Sequence, residues 1–208
     1  MIAIVDYGMA NLRSVEKALA RVGGDPVVTA DPAVVASADK LVLPGVGAFC
    51  AAMNNLHRAH MDDAVVAFIR SGKPFLGICL GLQMLFETST EMGRSSGLGV
   101  LPGRVVEFFS DGPAANPGGL KVPHIGWNAL TVRPDSRLLG GLEDGDRVYF
   151  VHSYYPEPAE SDVVSATSEY GTPFCCAVER GNLAATQFHP EKSGAVGLRI
   201  LRNFVGWD

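Results

Sequence analysis

Three short strand-like runs, apolar but for Lys40, constrain this chain most. Residues 2–5, 40–43 and 74–78 are each closed by a glycine-bearing turn and followed by residues spaced for a helix. A strand that is apolar at every position is buried on both faces, as in a parallel sheet covered by helices. After the first run, Leu12, Val15, Leu19 and Val22 recur at helical spacing behind Asn11, which is placed to cap the helix, and Gly23 and Gly24 stop it. Residues 26–29 form a further strand. A helical stretch carrying Met53, Leu56, Val65, Phe68 and Ile69 runs to Ser71 and Gly72, and the third run leads directly into a helix over residues 80–87. Strand, helix and strand at this density require right-handed crossovers. The expected fold is α/β, a doubly wound, mostly parallel central sheet with helices on both faces.

The second half is richer in strands, over residues 99–109, 147–152, 163–167, 174–178 and 183–187. A last helix over 194–204 sets Val196, Ile200, Leu201 and Phe204 on one side. Residues 110–119, with two prolines and three glycines, read as a surface loop. Sequence character does not change across it, so residues 1–208 are expected to form one domain. With 47% hydrophobic and 19% charged residues the chain is not disordered. Seventeen basic against 22 acidic residues give a net charge of −5, and no basic run offers a footprint for nucleic acid or an anionic membrane. No apolar run approaches the roughly 20 residues of a bilayer span, and the amino terminus has no signal-peptide pattern. A cytoplasmic protein is expected.

The cysteines Cys50, Cys79, Cys175 and Cys176 contain no C-x-x-C pair, so neither a thiolate zinc site nor a cofactor is expected. Cys175 and Cys176 read as small strand residues. His57 and His60, three apart, could share a helix face, but no third ligand follows. They read as wet helix surface, and Asp62 and Asp63 as ordinary surface charges.

The chemistry centres on Gly77-Ile78-Cys79-Leu80-Gly81. A nucleophile between a buried strand and a helix sits on a tight turn, and its neighbours two residues either side must be small. The turn exposes Cys79 at the carboxyl end of the sheet, beside a helix amino terminus that favours the thiolate. A buried cysteine between two packing glycines is the plainer alternative. A thiolate that must also protonate a leaving group needs a histidine. His189 stands in Gln187-Phe188-His189-Pro190-Glu191, where Pro190 biases it to extended geometry; in an extended chain Glu191 projects to the same side. Glu191 can then orient the ring, completing a Cys-His-Glu triad. His124 and His152 are further site-lining candidates. Acyl transfer also needs an oxyanion hole, with one donor from the Leu80 amide and a second from Val46 or Gly47 in Pro44-Gly45-Val46-Gly47.

With these residues in view, the sequence resembles the class I (triad) glutamine amidotransferases through Gly77-Ile-Cys79-Leu-Gly81-Leu-Gln83 and His189-Pro-Glu191. Further blocks resemble the glutaminase subunits of imidazole glycerol phosphate synthases, which serve histidine biosynthesis: Asp6-Tyr7-Gly8 with Asn11-Leu12, Pro44-Gly-Val-Gly47, Pro123-His-Ile-Gly-Trp127-Asn128, Tyr149-Phe-Val-His-Ser-Tyr154 and His189-Pro-Glu-Lys-Ser193. They occur in the expected order over nearly the whole chain. The resemblance implies that Cys79 attacks the side-chain amide of glutamine, that Gly47, Gln83, Ser153 and Tyr154 hold the substrate, and that ammonia passes to a (β/α)8 barrel synthase partner in a heterodimer. It also implies that the partner's ligand switches the glutaminase on through the Pro-Gly-Val-Gly backbone, and that Asn11, Trp127 and Lys192 lie at or near the interface. One position departs from the family. Ala10 replaces the usual glycine before the asparagine, and alanine is costly there if the backbone requires positive φ.

Two other readings compete with this one. A cysteine hydrolase or chaperone-like protein on a similar sheet has no need of Gln83, Ser153 and Tyr154 beside the triad. The glutaminase subunit of pyridoxal phosphate synthase lacks the Pro-Gly-Val-Gly and Gly-Trp-Asn blocks.

Overall fold

The computed structural model describes residues 1–207 apart from Asp111, Pro113, Ala114 and Pro117; the expected loop at 110–119 lies partly outside the described residues. Strands β1 (Ile2–Val5), β2 (Pro26–Thr29), β3 (Lys40–Gly45) and β4 (Phe75–Cys79) alternate with helices α1 (Leu12–Arg21), α2 (Pro32–Ser37), α3 (Phe49–Arg58) and α4 (Met61–Arg70). A one-turn helix, α5 (Leu80–Gln83), follows β4. The second half adds β5 (Phe86–Ser89), β6 (Ser95–Ser96), β7 (Leu101–Glu107), β8 (His124–Ala129), β9 (Thr131–Val132), β10 (Arg147–His152), β11 (Tyr154–Pro158), β12 (Val164–Glu169), β13 (Pro173–Arg180) and β14 (Leu183–Thr186), then α6 (Gly194–Val205).

One eight-stranded sheet runs β2-β1-β3-β4-β14-β13-β12-β9. Its first five strands pair in parallel and the last three are antiparallel. Side chains alternate across it. Ala3, Val5, Leu41, Leu43 and Phe75 enter a core with Phe49, Leu56, Met61 and Phe68 of α3 and α4. Ile2, Ile4, Val42, Leu76 and Ile78 enter a second core with Val15, Leu19, Ile200 and Phe204 of α1 and α6. The three runs are therefore strands buried on both faces, as expected. Two smaller sheets, β10-β8 and β11-β7-β5-β6, carry most of the extra strands of the second half. Among the described residues no helix is long and apolar enough to cross a membrane.

Several local expectations are corrected. The single helix expected before β4 is two, because His60 adopts a left-handed conformation at φ +55 between α3 and α4. His57 and His60 therefore do not share a helix face, and His57 Nδ1 instead pairs with Asp62 Oδ2 at 2.6 Å. The helix expected over 80–87 stops at Gln83. Leu80, Leu82, Met84, Leu85 and Phe86 are all buried, so this segment has no polar face to identify it as a surface helix, and Phe86 opens a strand parallel to β7. Asn11 precedes α1 but makes no side-chain capping bond. Ala10 is absent from the positions with positive φ, so its replacement of glycine stores no strain.

The turn leading away from β9 is clamped by a carboxylate on β13. Buried Glu179 accepts from Ser136 Oγ at 2.6 Å, from the Arg137 amide at 2.8 Å and from the Leu138 amide at 3.3 Å. Removing it leaves buried donors unpaired, each costing about 1–3 kcal/mol. Glu179→Ala is expected to lower the unfolding free energy by roughly 2–4 kcal/mol, measured by urea denaturation; a loss below about 0.5 kcal/mol, the scatter of ordinary surface changes, would refute the clamp.

Candidate active site

Three neighbouring parallel strands deliver the site. The ladders pair Gly45 with Cys79 and Thr186 with Ile78, so the carboxyl ends of β3, β4 and β14 share one edge. The Pro44–Gly47 loop, the Cys79 turn and residues 187–191 thus converge although they are remote in sequence. This is the edge where doubly wound sheets place their sites.

Cys79 sits at φ +56 and ψ −108, a conformation that L residues rarely adopt. Such strain costs on the order of 1–3 kcal/mol and persists only where the surroundings enforce it. Close packing of the neighbouring backbone, which only glycine at 77 and 81 permits, does so here. A Cβ at Gly81 would run into the Leu43 carbonyl oxygen, and one at Gly77 would come within 2.9 Å of the Gly81 carbonyl oxygen. Cys175 and Cys176 are buried strand residues, and burial raises both thiols, Cys175 to about 12.

His189 is extended at φ −102, as Pro190 requires, but Pro190–Lys192 form a 3-10 turn instead of continuing a strand. Glu191 therefore reaches His189 by the turn folding back, not by extended alternation. Glu191 Oε1 lies 2.8 Å from His189 Nδ1, and both side chains are almost wholly buried. That contact leaves Nε2 for Cys79. Nε2 is buried and makes no hydrogen bond in this conformation. Burial works against a charged ring, but the nearby Cys79 sulfur, with the hydrogen bond and charge of Glu191, outweighs it and raises the pKa to about 10. The Ser193 hydroxyl, donating to the His189 carbonyl at 2.6 Å, fixes the turn.

A cavity of about 270 Å³ opens over the sulfur, lined by Val46, Gly47, Cys79, Leu80, Gln83, Glu91, Ser153, Tyr154 and His189 among others. The structure thus gathers Cys79, His189, the expected substrate residues and the oxyanion loop around one space, with Glu191 behind the His189 ring. One expected donor is not presented to it. The Val46 amide donates to the Met9 carbonyl at 3.0 Å, so in this conformation it cannot serve an oxyanion. Leu80, the first residue of α5, is placed as expected, its amide among those a helix leaves unpaired.

Sequence reasoning missed three residues here. Glu91 lines the cavity while its Oε2 accepts from the Phe49 amide at 2.6 Å. Gln187 is wholly buried between Gln83 and Cys79. The Tyr7 hydroxyl is buried against Gly45 with no partner. Of these, Gln187 carried a signal in its place two residues before His189 and Tyr7 in the Asp6-Tyr7-Gly8 block, while Glu91 carried none.

His152 lines the cavity, whereas His124 faces a separate outer groove beside Trp127. Their rings meet at 3.1 Å between His124 Nδ1 and His152 Nε2. His152 Nδ1 donates to the Tyr154 carbonyl at 2.9 Å, so its Nε2 must accept from His124. Burial lowers His152 to about 3 and His124 to about 4, so both are neutral. The expected interface residues lie outside the cavity. Trp127, 48% exposed, packs edge-on against Tyr149, and Lys192 lies over the same ring at 5.8 Å. Exposed Asn11 borders a small pocket behind His189 and Glu191. Among the described residues no group of three His, Cys, Asp or Glu could hold a metal.

Comparison with known proteins gives the family. The glutamine amidotransferase class-I family model matches residues 3–206. The imidazole glycerol phosphate synthase subunit HisH of Syntrophotalea carbinolica is 55% identical over 204 residues, covering 98% of both chains. That of Methanothermobacter thermautotrophicus is 52% identical over 205 residues, covering 99% of this chain and 98% of its own. In three dimensions the structure of PurLQS from Thermotoga maritima superposes with a TM-score of 0.74 at 19% identity, covering 99% of this chain and 97% of that one, a likeness of fold.

The raised pKa of His189 has a checkable sign. Because the folded value of about 10 exceeds the ordinary 6.5, the charged ring stabilises the fold fully below pH 6.5, and this contribution fades as pH rises towards 10. The ring is expected to remain protonated at neutral pH by 15N NMR, with a lower midpoint in Cys79→Ala and in Glu191→Gln. An ordinary histidine midpoint in the unmodified protein would contradict the coupling.

Proposed function

Since the chain belongs to the class-I glutamine amidotransferases, and within them to the HisH subunits of imidazole glycerol phosphate synthase, we propose that Cys79, His189 and Glu191 carry out its glutamine hydrolysis for histidine biosynthesis. The observation that carries this assignment is the buried contact of Glu191 with His189 beside the strained Cys79 turn.

The Cys79 thiolate attacks the side-chain amide carbon of glutamine, and the carbonyl electron pair moves to oxygen. The Leu80 amide meets the developing oxyanion. His189, held charged by Glu191 and the sulfur, gives its proton to the amide nitrogen as the C–N bond breaks, and ammonia leaves a thioester on Cys79. His189 then takes a proton from water, whose oxygen attacks the thioester and releases glutamate. Gly47, Gln83, Ser153 and Tyr154 hold the substrate, and the Glu91 carboxylate faces its α-ammonium.

Ammonia passes to a (β/α)8 barrel synthase in a heterodimer. The surface that fits this partner carries exposed Trp127 and Ile125, 48% and 60% exposed, with Lys192 over the Tyr149 ring that Trp127 packs against, and exposed Asn11. The Val46 amide, committed to Met9, supplies the reason for dependence on the partner. Turning the Gly45–Val46 peptide adds a second oxyanion donor, and such a donor is worth roughly 100- to 1000-fold in rate.

Cys79→Ala is expected to lose roughly a thousandfold or more of glutamine hydrolysis, while the assembled complex still uses free ammonium for synthesis. Hydrolysis at the original rate would overturn the nucleophile. The isolated chain is expected to turn over glutamine slowly and to gain roughly a hundredfold with the barrel and its nucleotide bound, followed by glutamate release; equal rates would refute the gated donor.

A further inference from the structure

The Cys79 thiol has a second neighbour besides His189. The wholly buried Gln187 side chain places its amide nitrogen 3.7 Å from Cys79 Sγ. Gln83 Nε2 lies 3.0 Å from Gln187 Oε1 and 2.9 Å from the Tyr154 carbonyl oxygen. Amide groups can be turned end for end, so the direction of such a chain needs an anchor.

The Tyr154 carbonyl is that anchor, because a backbone carbonyl can only accept. Gln83 must therefore turn its NH2 towards Tyr154, and the second hydrogen of that NH2 points to Gln187. Gln187 must receive it on oxygen, since an NH2 facing an NH2 would leave two buried donors opposed. This leaves the Gln187 NH2 facing sulfur. His152 Nδ1 donates to the same Tyr154 carbonyl, which reinforces the anchor. Every polarity along Tyr154, Gln83, Gln187 and Cys79 follows from one backbone carbonyl.

We propose that Gln187 is a positioning residue for the nucleophile: its amide donates to Cys79 Sγ, favours the thiolate and holds the sulfur in the rotamer from which it faces both His189 and the cavity. A donor to the charged form favours that form, and an N–H···S contact at this distance is directional. The donor lies on the segment that also carries His189, so donor and base are placed together by the end of β14. The chain also ties the sulfur to the substrate wall. Gln83 spends both amide hydrogens on it, which leaves only Gln83 Oε1 for a ligand.

The inference rests on Cys79 as the reactive thiol, and its test reads that thiol directly, whatever the substrate. Alkylation of the whole chain by iodoacetamide, followed at Cys79 by peptide mass spectrometry, is measured against pH for Gln187→Met, of similar length but without a donor, and for Gln187→Glu. Both profiles are expected to move up by roughly one pH unit. For Gln187→Met with partner bound, kcat for glutamine should fall roughly tenfold at nearly unchanged KM. A purely packing role would not move the alkylation profile, so a wild-type profile in folded Gln187→Met overturns the proposal. Should both variants fail to fold, the unsubstituted residue serves: the Gln187 side-chain NH2 resonances should shift as Cys79 ionises and stay flat in Cys79→Ala. Resonances flat in both proteins overturn the proposal. A shifted alkylation profile with no glutamine turnover would refute the glutaminase reading and leave the role of Gln187 standing.

Discussion

The parallel pairing of β14 with β4 is the contact on which the site depends. It is the one ladder that brings the carboxyl end of a strand from the second half beside the Cys79 turn. Remove it, and His189 and Glu191 lose their relation to the sulfur, whatever their local geometry. The pairing is secured by burial: β4 and β14 are buried along their whole length, between the helical layer of α3 and α4 and that of α1 and α6. Hydrophobic burial therefore holds the geometry of the candidate site, while polar contacts only tune it.

Tuning is visible in the polar contacts at this edge. Glu191 occupies one ring nitrogen of His189, so the other is reserved for sulfur. The Tyr154 carbonyl takes His152 Nδ1 and Gln83 Nε2 together, fixing the neutral histidine pair on one side and the amide chain on the other. The strained backbone of Cys79 and the buried charge at His189 are costs that the surrounding core must offset. Val46 differs, since its amide is satisfied by Met9 in a position where catalysis has no use for it. A satisfied alternative of this kind allows a loop to rest in one state and be drawn into another by a partner.

Much of this was legible in the sequence, for a physical reason. The residues of the proposed triad announce themselves through their immediate neighbours, because Gly77 and Gly81 are demanded by close backbone approach and Pro190 fixes the chain at His189. The alternation of apolar runs and helical spacing likewise gave the parallel sheet. What could not be read depends on contacts between distant segments. Glu91 and Gln187 look like ordinary polar residues until the fold sets them against the cavity and the sulfur. The direction of the Val46 amide depends on a carbonyl at Met9 that no local pattern reveals. The helix expected over residues 80–87 failed because a segment buried all round has no periodicity to distinguish helix from strand. The break at His60 needed a left-handed residue where neither glycine nor asparagine marks one.

The central claim is that Cys79, buried but lining the cavity, is the thiol that His189 activates towards glutamine. The most direct test is labelling with a chloroketone analogue of glutamine, mapped by peptide mass spectrometry over all four cysteines. One equivalent on Cys79, prevented by excess glutamine and slowed sharply in His189→Asn, is the expected result. Labelling that spreads to exposed Cys50, ignores glutamine, or proceeds unchanged without the imidazole would contradict it.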